Sequence, residues 1–129
     1  MALKIVKNER VIMVDIDDTL VMHEFAKDIP GAIYVDVEDP LCLSNKVKLR
    51  VNEPMVRLVR EEIVRGSQIC YWSRGGFQWA YNVLKALDLD EYKSEQLVMT
   101  KPFAYFDDTS CEHWLKDRVY IDPDVCYKK

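Results

Sequence analysis

The sequence predicts an α/β fold, a central parallel sheet of about five strands with helices on both faces. Two observations predict it. Short apolar runs of strand length alternate with segments of helical periodicity from Val11 onward. Three of the runs end in residues that carry chemistry. Val11-Ile12-Met13-Val14 leads into Asp15-Ile16-Asp17, Ile69-Cys70-Tyr71-Trp72 into Ser73-Arg74-Gly75-Gly76, and Phe103-Ala104-Tyr105-Phe106 into Asp107-Asp108. Open α/β sheets bind their ligands at the carboxyl ends of the strands.

Taken in order, Leu3 to Lys7 alternates apolar residues with Lys and reads as a short edge strand. Residues 11 to 15 form the first core strand, an apolar run buried on both faces. From Leu20 to about Asn52 the pattern is irregular, with turn signals at Pro30-Gly31, Asp39-Pro40 and Ser44-Asn45. Within this insert, Ala32 to Val37 alternates as a hairpin arm, and the whole is small for an independent domain. Glu53-Pro54 opens a helix, with Pro where its missing N–H costs nothing. Met55, Leu58, Val59, Glu62 and Ile63 keep helical spacing, and Gly66 stops it. Gln68 to Trp72 is the second strand. Behind Gly75-Gly76 comes a helix with an apolar face of Phe77, Ala80, Tyr81, Leu84 and Leu87. Gln96 to Met99 and Phe103 to Phe106 are the third and fourth strands, Ser110 to Lys116 a short helix, and Val119 to Ile121 the fifth strand.

A chain of 129 residues supports a single domain. No apolar run approaches the roughly 20 residues that span a bilayer. Met1 to Arg10 lacks the apolar core of a signal peptide, so the expected residence is cytoplasmic. Cys42, Cys70, Cys111 and Cys126 lack the paired spacing of a zinc site and read as free thiols. The net charge of −4 speaks against broad binding to a nucleic-acid backbone. It leaves room for a small phosphorylated substrate in a local cationic pocket.

Asp15 and Asp17 are two apart on a strand end, so their side chains emerge on the same side. Two adjacent carboxylates need a positive charge between them, and a divalent cation is the usual answer. They also separate each other's proton affinities, so one stays ionised while the other handles protons. Asp18-Thr19 reads as a cap for the loop leaving the strand. The hydroxyl of Ser73, the following backbone N–H groups and a helix N-terminus together make an anion site. The plainer reading is that Ser73 caps the helix and the glycines fill a loop. Lys101-Pro102, after the third strand, reads by itself as a solvated surface charge.

These four pieces, in this order, resemble the haloacid dehalogenase superfamily of phosphotransferases over the chain from about Val11 to Ile121. The resemblance implies a Rossmann-like three-layer sandwich and Mg²⁺-dependent hydrolysis of a phosphate monoester. Position by position, Asp15 matches the nucleophile, Asp17 the general acid/base, and Ser73 and Lys101 the groups that hold the transferring phosphoryl. Asp107 and Asp108 match the acidic pair of the magnesium site, to which Asp15 and the backbone carbonyl of Asp17 also belong. An Asp at the second position marks the family's phosphatases. The chemistry is coherent, since Mg²⁺, Lys101 and the donors near Ser73 offset the repulsion between a carboxylate and a phosphate dianion.

Where the family carries a cap domain, this chain has only the insert at about 20–52, read as a hairpin flap. Lack of a cap implies an open site serving large substrates or one closed by a neighbouring subunit in a homo-oligomer. The substrate class is a phosphorylated small molecule or a phosphorylated nucleic-acid end, with no membrane partner. Arg74 is a candidate for contact with a substrate anion, and His23 stands where the family places a mobile flap. Trp72 reads as packing in the sheet, His113 with Trp114 as packing or surface, and Asp36, Glu38 and Asp39 as a solvated acidic loop. Asp122-Pro123-Asp124 reads as a turn. Two alternatives carry weight: a non-catalytic phosphate-binding or scaffold protein on the same fold, and a phosphotransferase. A signalling receiver domain fails on motif order, because its phospho-accepting Asp lies on a middle strand, which here ends in Trp72-Ser73.

Overall fold

The structure, a computed structural model, describes residues 10–23, 30–90, 96–108, 119 and 121. Its elements, in chain order, are β1 (Val11–Asp15), β2 (Val21–Met22), β3 (Tyr34–Asp39), β4 (Cys42–Val51), α1 (Glu53–Arg65), β5 (Gln68–Ser73), α2 (Phe77–Ala86) and β6 (Gln96–Thr100). Among the described residues β1, β5 and β6 form a three-stranded sheet in that order, parallel throughout. The class is α/β.

Two crossovers, from β1 to β5 and from β5 to β6, step the same way across this sheet. Right-handed crossovers that advance in one direction lay their helices on one face. Val14, Ile69 and Tyr71 accordingly share a buried core with Val56 and Val59 of α1 and Ala80, Val83 and Leu84 of α2. On the opposite face Val11, Met13, Leu97 and Met99 remain between 37% and 55% exposed. Helices on both faces are therefore not what the described residues show.

Among the described residues the expected five strands of the central sheet reduce to three. Phe103 to Phe106 is an apolar run of strand length, but it follows Pro102, which cannot donate to a ladder. Its residues take no regular structure, and Phe103 and Phe106 are fully exposed. An apolar run becomes a strand only where a neighbouring edge takes up its backbone groups. Val119 and Ile121 take no strand either, although Ile121 packs against the core. The strand expected over Leu3 to Lys7, the helix over Ser110 to Lys116, Cys111, Cys126, His113, Trp114 and the turn at Asp122 to Asp124 lie outside the described residues.

α1 begins and ends as its sequence predicts, with Pro54 in the first turn and Gly66 as its left-handed cap at φ 97°. Met55, Val56 and Val59 face the core, while Leu58 sits at the rim. Gly66 meets no steric obstacle to a side chain, but a Cβ at that φ is strained. Gly66→Ala is expected to lower stability by about 1 kcal/mol in a denaturant titration. An unchanged midpoint would remove the cap from the account.

In α2 the buried stripe is Trp79, Ala80, Val83 and Leu84, extended by Leu87 just past the helix. Phe77 and Tyr81, expected on that face, point outward and are 59% and 42% exposed. The spacing of three and four residues from Trp79 and Ala80 defines one stripe, and Phe77 with Tyr81 defines its neighbour. Apolar content alone does not choose between them.

The insert folds as a second sheet, antiparallel, in the order β2-β4-β3. Asp39 turns the hairpin by accepting the Leu41 N–H at 2.9 Å, an Asx turn. Val37, Leu49 and Val51 are buried, and Val37 and Leu49 lie on one face of the hairpin. Asp36 and Glu38, expected in a solvated loop, lie on β3 opposite Lys48 and Lys46 of β4. Asn82 of α2 donates to the Glu38 carbonyl at 3.0 Å and pins the hairpin to the helix. An open groove of about 250 Å³ runs there, lined by Asp36, Glu38, Lys46, Asn82 and Lys85. Among the described residues no helix is long and apolar enough to cross a membrane.

Candidate active site

The carboxylates arise where β1 stops. The Ile16 N–H still bonds to the Trp72 carbonyl at 3.2 Å, continuing the pairing with β5. The chain then folds tightly, and the N–H groups of Thr19 and Leu20 both return to the Ile16 carbonyl, at 3.3 and 3.0 Å. Asp18 takes the left-handed conformation at φ 58°, which Asp tolerates better than most residues. Its carboxylate accepts the His23 backbone N–H at 3.1 Å. This turn is why two residues only two apart end in different surroundings.

Asp15 is partly exposed at the mouth of the sheet. Thr19 Oγ1 donates to its Oδ2 at 3.1 Å, and Lys101 Nζ stands 3.5 Å from its Oδ1. Lys101 follows β6 directly, held there by its own N–H on the Ser73 carbonyl at 2.8 Å. Lys101, which by itself reads as a solvated surface charge, thus faces the first carboxylate from the end of the third strand.

Asp17 is more tightly held. Its Oδ2 accepts the Ser73 hydroxyl at 2.5 Å, and its Oδ1 accepts Trp79 Nε1–H at 2.8 Å and meets His23 Nε2 at 2.7 Å. An ionised carboxylate only accepts, so His23 carries a proton on Nε2 in this arrangement. Burial pushes the Asp17 carboxyl up, but hydrogen bonds from Ser73, His23 and Trp79, with the His23 charge, outweigh it and hold the group below its ordinary value.

Ser73 is wholly buried. Its oxygen accepts the Gly75 N–H at 3.0 Å while its hydrogen goes to Asp17. To meet a phosphoryl oxygen it must turn away from Asp17. The N-cap of α2 is Gly76, at φ 98°, rather than Ser73. Part of the helix N-terminus is already satisfied, because the Phe77 N–H donates to Thr100 Oγ1 at 3.2 Å. Arg74 is exposed on the loop between β5 and α2.

Asp107 and Asp108 are exposed and outside regular structure, on the segment that follows Lys101. Among the described residues no three His, Cys, Asp or Glu side chains form a group able to hold a metal ion. The donors at the mouth nevertheless suit Mg²⁺ chemically. That ion takes one or two carboxylates and fills its remaining positions with water and phosphate oxygens. Among the described residues Asp15 offers a carboxylate whose Oδ1 has only the long Lys101 contact, and no backbone N–H takes the Asp17 carbonyl.

Sequence reasoning overlooked Trp79. Its signal was an indole in the first turn of a helix that starts directly behind Gly75-Gly76, where an N–H donor can turn back to the strand ends. Cys70 is a buried free thiol whose ionisation burial disfavours, as expected of a small core hydrophobe, and Cys42 is a free thiol at the surface.

The fold and site together define a carboxylate-centred cluster at the carboxyl ends of three adjacent parallel strands. No protein-family model matches the chain, and neither a curated protein nor a solved structure does.

Proposed function

We propose that this chain is a Mg²⁺-dependent phosphatase of the haloacid dehalogenase type, hydrolysing a phosphate monoester through an aspartyl-phosphate on Asp15. One observation carries the reading. Asp15, Asp17, Ser73 and Lys101 come from the ends of three different strands, and pairwise contacts link Asp15 to Lys101 and Asp17 to Ser73. The finer architecture, a Rossmann-like sandwich with a hairpin flap and no cap domain, belongs to the same proposal.

Asp15 attacks phosphorus and the leaving oxygen departs, so that a P–O bond to the carboxylate replaces the ester bond. Lys101 balances the carboxylate and the phosphoryl oxygens, and Thr19 orients Asp15 from the other side. Asp17 gives a proton to the leaving alkoxide, then takes one from the water that hydrolyses the aspartyl-phosphate. Mg²⁺ would be held by Asp15, the Asp17 carbonyl and an acid of the Asp107-Asp108 pair, and would supply charge neutralisation at the phosphoryl group. Arg74, exposed beside Ser73, is placed to meet a further anionic group of the substrate.

Substrates are phosphorylated small molecules or phosphorylated nucleic-acid ends, the former favoured by the net charge of −4. Free thiols at Cys42 and Cys70 accord with a cytoplasmic protein. The test is hydrolysis of p-nitrophenyl phosphate. We expect turnover with Mg²⁺, a loss of about a hundredfold or more in EDTA, and recovery when Mg²⁺ is restored. Inactivity against a broad panel of phosphate esters would favour a phosphate-binding scaffold instead.

A further inference from the structure

Asp17 has four lone-pair positions as a carboxylate, and the structure fills three of them unevenly. Both on Oδ1 are engaged by nitrogen atoms, His23 Nε2 at 2.7 Å and Trp79 Nε1 at 2.8 Å. Among the described residues Oδ2 has only the Ser73 hydroxyl, at 2.5 Å. We propose that His23 and Trp79 are positioning residues that clamp Oδ1 of Asp17, so that Oδ2 is the oxygen that exchanges the proton with the leaving group and then with water. The inference rests on the phosphatase reading and adds to it which atom of Asp17 works and what orients it.

The clamp is built from two independent directions. Trp79 is 8% exposed and rises from the first turn of α2. Its indole lies so close to the preceding loop that a Cβ at Gly75 would stand 3.0 Å from Trp79 Cδ1 and 3.3 Å from Ser73 Oγ. Gly75 is therefore the residue that lets the indole and the hydroxyl reach the same carboxylate. His23 comes from the insert, just past β2, with its backbone N–H on Asp18 and its side chain 39% exposed. The two rings stand 6.0 Å apart and converge on one oxygen. Buried carboxylates are satisfied by whatever donors are near, but two aromatic N–H donors on a single oxygen also fix its rotation. A carboxyl group that cannot rotate presents the same oxygen at every turnover.

For the step itself, Oδ2 carries the proton it took from water in the preceding turnover and the Ser73 hydroxyl has turned to the phosphoryl group. The Asp15–phosphorus bond then forms as the ester P–O bond and the Oδ2–H bond break. The electron pair of that ester bond stays with the leaving oxygen, which takes the proton. The need for this proton grows with the basicity of the leaving group, which separates a positioning role from a structural one. The experiment compares kcat/KM for p-nitrophenyl phosphate and phenyl phosphate, esters of similar size, in wild type, His23→Leu, His23→Gln and Trp79→Phe with Mg²⁺. His23→Leu and Trp79→Phe are expected to lose about tenfold on phenyl phosphate and less than about twofold on the nitrophenyl ester. His23→Gln, which keeps an N–H donor, is expected to recover part of the loss. Equal losses on both esters, or none on phenyl phosphate, would overturn the clamp while leaving the phosphatase reading intact. Should Trp79→Phe fail to fold, the partly exposed His23 pair decides the matter alone. A wild type active only on the nitrophenyl ester overturns the acid role of Asp17 and the clamp with it. One inactive on both overturns the phosphatase reading itself.

Discussion

Asp15→Asn is expected to abolish hydrolysis, with kcat falling by a factor on the order of 10⁴ or more. The amide keeps the shape of the side chain and can still accept from Thr19 Oγ1, now at 3.1 Å from Oδ2. What it loses is the nucleophilic oxygen and the charge that Lys101 faces at 3.5 Å. Because both partners of that ion pair are about a third exposed, the cost to folding should stay below about 1 kcal/mol. Steady-state kinetics alongside a thermal melt check both halves. Retained turnover in a folded Asp15→Asn would sink the mechanism.

Asp17→Asn is the second large effect. Turnover should fall by about a hundred- to a thousandfold, the usual worth of a positioned general acid/base. Mg²⁺ affinity should change little, because the proposed ligand at this position is the backbone carbonyl. Calorimetry that showed the affinity lost would contradict that assignment. The same substitution should alter the acid limb of stability. The folded carboxyl of Asp17 is held below its ordinary value, so it contributes stability above about pH 4 that disappears as the pH falls through the lowered value. Asp17→Asn removes that contribution, and its stability should decline less steeply between roughly pH 5 and pH 3 than that of wild type. Parallel decline in the two proteins would mean that the three donors are not felt in solution.

How much of this was legible in the sequence differs from residue to residue. α1 could be read closely because Pro54 and Gly66 bracket it with local chemistry that needs no tertiary partner. β1 and β5 announced themselves as apolar runs, and their parallel register carries Asp15 opposite Trp72, one residue short of Ser73. Phe103 to Phe106 misled because an apolar run records the capacity to form a strand, whereas a strand exists only when a neighbour pairs with it. Phe77 and Tyr81 misled for a similar reason: two stripes of α2 are apolar, and the packing of the sheet picks one. In the site, Asp15, Asp17, Ser73 and Lys101 stood at predictable strand ends. Trp79 and His23 did not, since each reaches Asp17 through the curvature of a turn that no spacing rule encodes. Ser73 is buried as the third residue, after Ile69 and Tyr71, of the β5 face that the helices cover.

The insert between Leu20 and Asn52 leaves and rejoins the core at one point. β2 pairs with the end of β4, Val21 opposite Val51, and the Asn52 N–H closes onto the Leu20 carbonyl at 2.9 Å. Asn52 Nδ2 adds a bond to the Thr19 carbonyl at 2.9 Å, next to the hydroxyl that touches Asp15. An excursion with its ends already joined makes little mechanical demand on what lies beneath it. Each doubling of a flexible loop adds only about 0.6 kcal/mol of closure entropy. Material grafted at the Leu41 tip, which is 95% exposed, should therefore be tolerated without disturbing the turn that holds the two carboxylates. Because its two ends are tied together beside Thr19, the hairpin can change at its tip while the chemistry at its base stays in register.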